Sequence, residues 1–118
     1  MTLEQIVKTL EGSFLTKKNH RGRAIRAGCG CDLMSDVLAF IKRDTLLLTG
    51  LTNNQVIRTA EMADIRAVCF VRGKRPDKAV IALAEEKNIA VVATSLPLFE
   101  ACGRLYRAGL VGCSEYEQ

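Results

Sequence analysis

Residues 46–57 read LLLTGLTNNQVI, and this stretch decides how the rest of the chain is interpreted. Its aliphatic run stops at Thr49-Gly50, and a helical pattern begins just after Asn53-Asn54. An aliphatic run without polar alternation is typical of a strand that is buried on both faces of a parallel sheet. Parallel strands require a crossover connection, which is usually a helix, so the stretch predicts a β-α unit.

Two more aliphatic runs of the same kind follow along the chain. The three predicted strands are Thr45–Thr49, Ala67–Val71 and Ala90–Ala93. Apolar residues at helical spacing predict helices between and after these strands. Their predicted bounds are Gln55–Ala63, Asp77–Glu86 and Leu96–Ala108. The alternation predicts an α/β fold, in which helices pack on a small, mainly parallel sheet in successive β-α units.

The amino-terminal third of the chain is patterned more weakly. Thr2 is expected to cap a first helix, because an acid and an amide follow in the first turn. Two short strands are predicted near Ser13–Thr16 and Arg23–Ala27, on either side of a basic loop. His20 lies in that loop between cationic neighbours, and we interpret it as a solvated residue.

A further helix is predicted to begin at Asp32, which can act as its cap. Its apolar side carries four residues, namely Leu33, Val37, Leu38 and Ile41. At the other end of the chain, Ser114–Gln118 is expected to fray, as terminal residues commonly do.

The composition is that of one globular domain, and we expect residues 1–118 to form it. Apolar residues make up 48% of the chain and charged residues 25%, which is an ordinary globular composition. A chain of 118 residues is long enough for one core and too short for two ordinary domains. The net charge of +4 weakly favours anionic partners. No run reaches the roughly 18–20 apolar residues of a membrane span. The start of the chain has no signal-peptide pattern, and its five cysteines, an odd number, fit a reducing compartment. We therefore expect a cytoplasmic protein without membrane contact.

The ends of the predicted strands form the candidate ligand site, because ligands of open α/β sheets bind beyond the carboxyl ends of strands. Seven residues there combine glycines, hydroxyls, an amide and a cation, namely Gly50, Thr52, Asn53, Gly73, Lys74, Thr94 and Ser95. With the backbone N–H groups at the start of the next helix, they suit a nucleotide or a phosphorylated metabolite. The alternative is a set of ordinary turns and caps, since neither the phosphate-loop motif nor the dinucleotide glycine fingerprint is present.

Cysteine and histidine offer little chemistry by their spacing. Cys29 and Cys31 are the weak candidate metal ligands, but structural zinc sites separate paired cysteines by at least two residues. We therefore expect neither a metal nor another cofactor. The basic loop around His20 lacks aromatic residues for base stacking, so nucleic acid is not an expected partner. No nucleophile or general base is arranged by spacing, which indicates a protein that is not an enzyme.

Thr45–Leu105, with the upstream segment GCGCDLMSDVLAF, resembles the DRTGG domain family. The resemblance lies in the order of elements: a strand ending in Thr-Gly, a helix, a strand ending near Gly, Pro before the next helix, and a strand leading into Thr-Ser. Many members carry Gly-Asp-Arg after the first of these strands, whereas this chain has Gly50-Leu51-Thr52-Asn53. That departure removes an acid and a cation from the candidate ligand site.

Members that this chain resembles include small stand-alone proteins, and larger ones attach the domain to CBS-pair pyrophosphatases or to certain phosphate acetyltransferases. There the domain looks like a regulatory or dimer-forming module, and its fold is similar to the N-terminal domain of HPr kinase/phosphorylase. The resemblance implies a non-catalytic regulatory or interaction module, and we expect a homodimer. The expected dimer surface is the last helix, whose apolar residues spread over a wider arc than one buried face requires. These residues are Leu98, Phe99, Cys102, Leu105 and Tyr106.

Overall fold

A six-stranded sheet forms the centre of the computed structural model, which describes residues 1–17 and 19–116. Its strands are β1 (Ser13–Phe14), β2 (Ala27–Gly30), β3 (Thr45–Thr49), β4 (Ala67–Phe70), β5 (Ala90–Ala93) and β6 (Val111–Gly112). They lie in the order β1-β5-β4-β3-β2-β6. β1 is antiparallel to β5, and the other neighbours are parallel.

Helices cover both faces of this sheet, which confirms the predicted α/β fold. They are α1 (Leu3–Thr9), α2 (Met34–Phe40), α3 (Asn54–Met62), α4 (Lys78–Glu86) and α5 (Leu98–Arg107). Alternate residues of β3 pack into different layers. Leu46 and Leu48 join a core with α1 and α5, whereas Leu47 joins a core with α2, α3 and α4. Because both faces are covered, every residue of β3 is buried, which explains its unbroken aliphatic run.

The predicted strand at Arg23–Ala27 is wrong, because β2 lies at Ala27–Gly30 and shares only Ala27 with it. Glycine-rich segments have low strand propensity, so the pattern does not indicate a strand there. Tertiary packing selects the glycine instead: a Cβ on Gly30 would lie 2.6 Å from the Sγ of Cys102 on α5. A close approach of helix to sheet therefore overrides local propensity at this strand.

Asp32 does not cap α2, and this prediction is also wrong. The N-cap residue is Leu33, without a side-chain cap bond, and the helix buries Met34 and Val37. Leu33 and Leu38 are exposed, so the buried stripe differs from the predicted one. The reason is that Asp32 is used elsewhere, in hydrogen bonds to the end of β3.

His20 is buried and not solvated, with 7% of its surface exposed and its Nε2 3.2 Å from the Oδ1 of Asn88. This contact joins residues far apart in sequence, so local charge around His20 is a poor guide to its burial. Lys18, in the same loop, and residues 117–118 of the predicted frayed tail lie outside the described part of the chain.

The ends of the first and last helices show how well local signals work. The cap at Thr2 is confirmed, because its hydroxyl accepts from the Gln5 N–H while the Gln5 side chain accepts from the Thr2 N–H. α5 begins at Leu98, two residues later than predicted, because Pro97 occupies the N-cap position. The cap at Thr2 is thus predicted correctly, whereas the start of α5 is displaced by two residues.

Candidate functional site

The carboxyl ends of four parallel neighbours, β2, β3, β4 and β5, meet at one edge of the sheet, here called the carboxyl edge. The connections that follow these strands are 31–33, 50–53, 71–77 and 94–97. All seven predicted ligand residues lie in these segments. The topology therefore brings them to a common edge, although they come from three separate connections.

Asp32 connects the ends of β2 and β3 at the carboxyl edge. Its Oδ1 accepts hydrogen bonds from the N–H of Gly50, at 2.9 Å, and from the hydroxyl of Thr49, at 2.7 Å. These two bonds, and then the charges of Lys74 and Arg72, hold the pKa of Asp32 below its usual value, although burial acts in the opposite direction. The Gly50 N–H is therefore already donated to a carboxylate and is not open to an anion.

A tight turn after β4 carries two cations at this edge. Arg72 and Gly73 both have positive φ, 62° and 68°, and the N–H of Lys74 donates to the carbonyl of Val71 at 3.1 Å. These are the features of a turn in which both central residues are left-handed. Glycine adopts this conformation freely, whereas an arginine does so only when the surroundings hold it.

The surroundings that hold the turn are the residues after β5. The N–H of Arg72 donates to the carbonyl of Leu96 at 2.8 Å, and the N–H of Gly73 donates to the carbonyl of Thr94 at 2.9 Å. The turn is thus fixed with respect to the next connection of the sheet. A Cβ on Gly50 would lie 3.9 Å from the Nζ of Lys74, so that amine is also close to β3.

Three of the predicted ligand residues, Gly73, Thr94 and Ser95, line a shared cavity of about 230 Å³. Arg75 and residues 11–13 complete its wall. Thr94 is buried, and its hydroxyl donates to the carbonyl of Leu10 at 2.7 Å, which joins β5 to the end of α1. Ser95 is exposed and keeps its hydroxyl at the surface of the cavity.

The other four predicted ligand residues lie outside that cavity. Gly50 and Lys74 lie beside Asp32. Thr52 and Asn53 belong to the connection into α3, where Asn53 is the N-cap residue but its side chain makes no cap hydrogen bond. The first N–H groups of α3 are therefore not covered by that side chain, and such groups attract anions. The carboxyl edge therefore combines positive charge with backbone N–H groups.

The lowered pKa of Asp32 predicts a pH-dependent contribution to stability. A carboxyl group whose pKa is lower in the folded state stabilises the fold above its unfolded pKa of about 3.9 and loses that effect as the pH falls through the folded value. We expect Asp32→Asn to lower the free energy of unfolding by about 1 kcal/mol at neutral pH, a small value because the carboxylate is exposed to solvent. At pH values well below both pKa values, wild type and variant should have equal stability.

Urea denaturation at neutral and strongly acidic pH measures this difference. Asp36→Asn is the matched control, since Asp36 is an exposed carboxylate on α2. A difference between wild type and Asp32→Asn that stays constant across the pH range would contradict the role assigned to the Asp32 carboxylate.

A second feature lies between α5 and the strands β2 and β6. It is an apolar cavity of about 300 Å³, here called the α5 groove. Its lining residues are Gly28, Gly30, Leu48, Phe99, Cys102, Gly103, Leu105, Tyr106, Leu110, Val111 and Gly112. Four of the five residues predicted for a dimer surface are among them.

The predicted dimer residues differ widely in exposure. Phe99 is 88% exposed and Tyr106 59% exposed, which is unusual for aromatic side chains. Leu98 and Cys102 are half-buried, and Leu105 is packed in the core with 2% of its surface exposed. The exposed part of this surface is therefore carried by two aromatic rings at the rim of the groove.

Cys29 and Cys31 are not gathered into a metal site. Within residues 1–17 and 19–116, no three His, Cys, Asp or Glu side chains are grouped closely enough to hold a metal ion. Burial, and then the neighbouring thiol of Cys113, raise the pKa of Cys29 to about 12. The Cys29 side chain is therefore a neutral thiol at neutral pH.

A profile of the DRTGG domain family matches residues 5–108, most of the chain. The chain belongs to the DRTGG domain family. DRTGG domains are regulatory modules, so this chain is a regulatory domain and not an enzyme. No curated protein sequence matches this DRTGG domain.

The fold of this DRTGG domain also occurs in a solved structure. It is similar to the crystal structure of the CBS and DRTGG domains of the regulatory region of Clostridium perfringens pyrophosphatase, complexed with the activator diadenosine tetraphosphate. The TM-score is 0.76, the sequence identity is 19%, and the match covers 99% of this chain and 50% of that chain. Our DRTGG domain thus spans half the length of that chain. No helix in the described part of our DRTGG domain is long and apolar enough to cross a membrane.

Sequence reasoning missed two elements of the carboxyl edge in this DRTGG domain. Asp32 was assigned to a helix cap, and its contact with Gly50 depends on β2 and β3 being neighbours, which no local pattern reveals. The left-handed conformation of Arg72 has no sequence signal either, because the residue is not glycine. The Arg-Gly pair that follows a buried strand is the only local hint of a tight turn.

Proposed function

We propose that this DRTGG domain acts as a homodimeric regulatory module, in which the α5 grooves of two copies face each other. The observation that carries the proposal is the exposure of Phe99 and Tyr106 at the rim of an apolar groove. Soluble proteins seldom expose such side chains next to an apolar cavity unless another surface covers them. A homodimer places the same patch on both subunits, so a groove with protruding rings is self-complementary.

The chemistry of the groove supports burial against a second copy. Its walls are apolar side chains and glycines, and the aromatic rings are the residue types that contribute most to protein interfaces. The hydroxyl of Tyr106 stays paired with the carboxylate of Glu115 at 3.1 Å, so burying its ring does not require burying an unsatisfied hydroxyl.

We expect Phe99→Asp to weaken the homodimer by about 30-fold, since an aromatic hot-spot residue of an interface contributes about 2 kcal/mol or more. Sedimentation velocity over a range of concentrations measures the change in dissociation constant. Phe40→Asp is the matched control, because Phe40 is also exposed, at 70%, but lies on α2 on the opposite face of the sheet. If Phe40→Asp dissociated the homodimer and Phe99→Asp did not, the interface would lie on the α2 face, which would contradict our proposal.

A second candidate function is the sensing of a nucleotide or a phosphorylated metabolite at the carboxyl edge. Arg72, Lys74 and Arg75 supply positive charge there, and Asn53 leaves the first N–H groups of α3 uncapped by its side chain. The similar pyrophosphatase regulatory region is complexed with a nucleotide activator, which makes nucleotides the first ligands to test. Because the Gly50 N–H serves Asp32, the proposed phosphate position is at Lys74 and the start of α3.

Calorimetric titration with ATP and with diadenosine tetraphosphate tests this second function. We expect Lys74→Gln to raise the dissociation constant about tenfold, since a charged hydrogen bond is worth about 1.5–3 kcal/mol. Gly50→Val should abolish binding without unfolding the protein, as a side chain there projects towards Lys74. Lys8→Gln removes the same charge from α1 and serves as control. Unchanged affinity in Gly50→Val and Lys74→Gln would rule out the carboxyl edge as the binding site.

A further inference from the structure

The opposite edge of the sheet, where the parallel strands begin, holds a second polar cavity. Its volume is about 340 Å³, and we call it the amino-edge cavity. The residues that line it are Arg23, Ala24, Ile25, Asp44, Thr45 and Arg66. They precede or begin β2, β3 and β4, so this cavity is separate from both the carboxyl edge and the α5 groove.

Two arginines, Arg23 and Arg66, line this cavity and are close enough for their like charges to interact. The guanidinium of Arg23 donates from Nη1 to the backbone carbonyls of Arg66, at 2.9 Å, and Asn88, at 3.2 Å. Burial, and then the like charge of Arg66, lower the pKa of Arg23. In the part of the chain that the structure describes, neither arginine has an ion-pair partner.

Asp44 is the one carboxylate among the lining residues, and it does not neutralise the two arginines. Its Oδ2 lies 3.8 Å from the Nε of Arg26, which is outside the cavity wall. Asp44 thus has its ion pair with a third arginine. No ion pair joins it to Arg23 or Arg66 among the described residues.

Thr45 also lines the cavity, and its hydroxyl is unpaired within the described part of the chain. The residue is fully buried, and its hydroxyl oxygen has no hydrogen-bond partner among the described residues. Buried hydroxyl groups nearly always have a partner, because an unpaired one loses its bonds to water without replacement. A group that accepts a hydrogen bond from this hydroxyl would remove the deficit.

We propose that the amino-edge cavity binds a phosphate group, held by the guanidinium groups of Arg23 and Arg66 and by the hydroxyl of Thr45. Phosphate fits because its several acceptor oxygens can pair with two guanidinium forks and a hydroxyl together. The cavity is at the small end of the range for ligand pockets, which is about 300–1,000 Å³. It therefore suits free phosphate or a small phosphate monoester, and not a dinucleotide.

The test is a titration of the isotope-labelled full chain with inorganic phosphate at constant ionic strength, followed by NMR. We expect the largest amide shifts at residues 44–46 and 66–67, and a dissociation constant about tenfold higher in Arg66→Gln. Thr45→Val should weaken phosphate binding without lowering the thermal stability of the free protein, because the lost hydroxyl has no partner. Arg58→Gln, a charge removal on the exposed face of α3, is the control and should bind as wild type does.

Two further arms separate this site from others. Lys74→Gln should not affect these shifts, so a loss of phosphate binding in that variant alone would move the anion to the carboxyl edge and overturn the proposal. A repeat with glycerol 3-phosphate shows which source of phosphate the cavity suits. Tighter binding of glycerol 3-phosphate than of inorganic phosphate would indicate a monoester, and binding that is no tighter would indicate free phosphate. Equal affinity of wild type and Arg66→Gln for both probes would show that the Arg66 guanidinium does not hold the phosphate, and would overturn the proposal as well.

Discussion

Phe70→Ala is expected to lower the free energy of unfolding by about 3–5 kcal/mol, the range found for truncating a buried phenylalanine. Phe70 lies in β4 and is fully buried in the core formed with α2, α3 and α4. Truncation removes its apolar contacts and creates a cavity that a rigid parallel sheet closes poorly. Because domains of this size are typically stable by only about 5–15 kcal/mol, the variant should be close to unfolding at physiological temperature.

Chemical denaturation of Phe70→Ala beside Phe40→Ala measures this effect. Phe40 is 70% exposed, so the same truncation there should change the free energy by less than about 0.5 kcal/mol. Similar losses in both variants would mean that the two phenylalanines do not differ in burial, which contradicts the assigned packing of β4.

Gly12→Ala should lower the free energy of unfolding by about 2–3 kcal/mol through overpacking. Gly12 follows α1 and enters β1, where a Cβ would lie far inside van der Waals contact of the carbonyl oxygen of Ala93. That oxygen belongs to the backbone of β5, so neither partner can move aside as a flexible side chain would. The extra methyl group must displace β1 from the sheet edge.

The melting temperature of Gly12→Ala should fall by roughly 10 °C if 1 kcal/mol corresponds to about 4 °C in a domain of this size. Gly22→Ala is the matched control. A Cβ on Gly22 would meet nothing within 4 Å, so alanine there should change the free energy of unfolding by less than about 0.5 kcal/mol. A Gly12→Ala variant as stable as wild type would show that β1 is not packed against Ala93 as described.

The sheet centre was predictable because its signal is local. β3, β4 and β5 are buried on both faces, and such strands have continuous aliphatic runs that polar alternation does not interrupt. The cap at Thr2 was predictable for the same reason, since its partner Gln5 lies three residues away. Both predictions rest on residues that are close in sequence, and both agree with the structure.

The unpredicted features depend on contacts between distant segments. β2 has a glycine where α5 approaches the sheet. The Asp32 carboxylate accepts a hydrogen bond from Gly50 after the neighbouring strand β3 and does not cap α2. His20 is buried through a contact with Asn88, 68 residues away. The amino-edge cavity likewise needs the strand order, because residues 23, 45 and 66 meet only when β2, β3 and β4 lie side by side.

Native mass spectrometry of the wild-type chain tests the proposed homodimeric regulatory module most directly, because one spectrum reports subunit number and any bound small molecule. The monomer has a mass of 12.9 kDa, so we predict a main species of twice that mass at micromolar concentration, which dissociates on denaturation. A retained nucleotide would appear as extra mass on the same species. A monomer at every concentration tested would contradict the proposed pairing of α5 grooves.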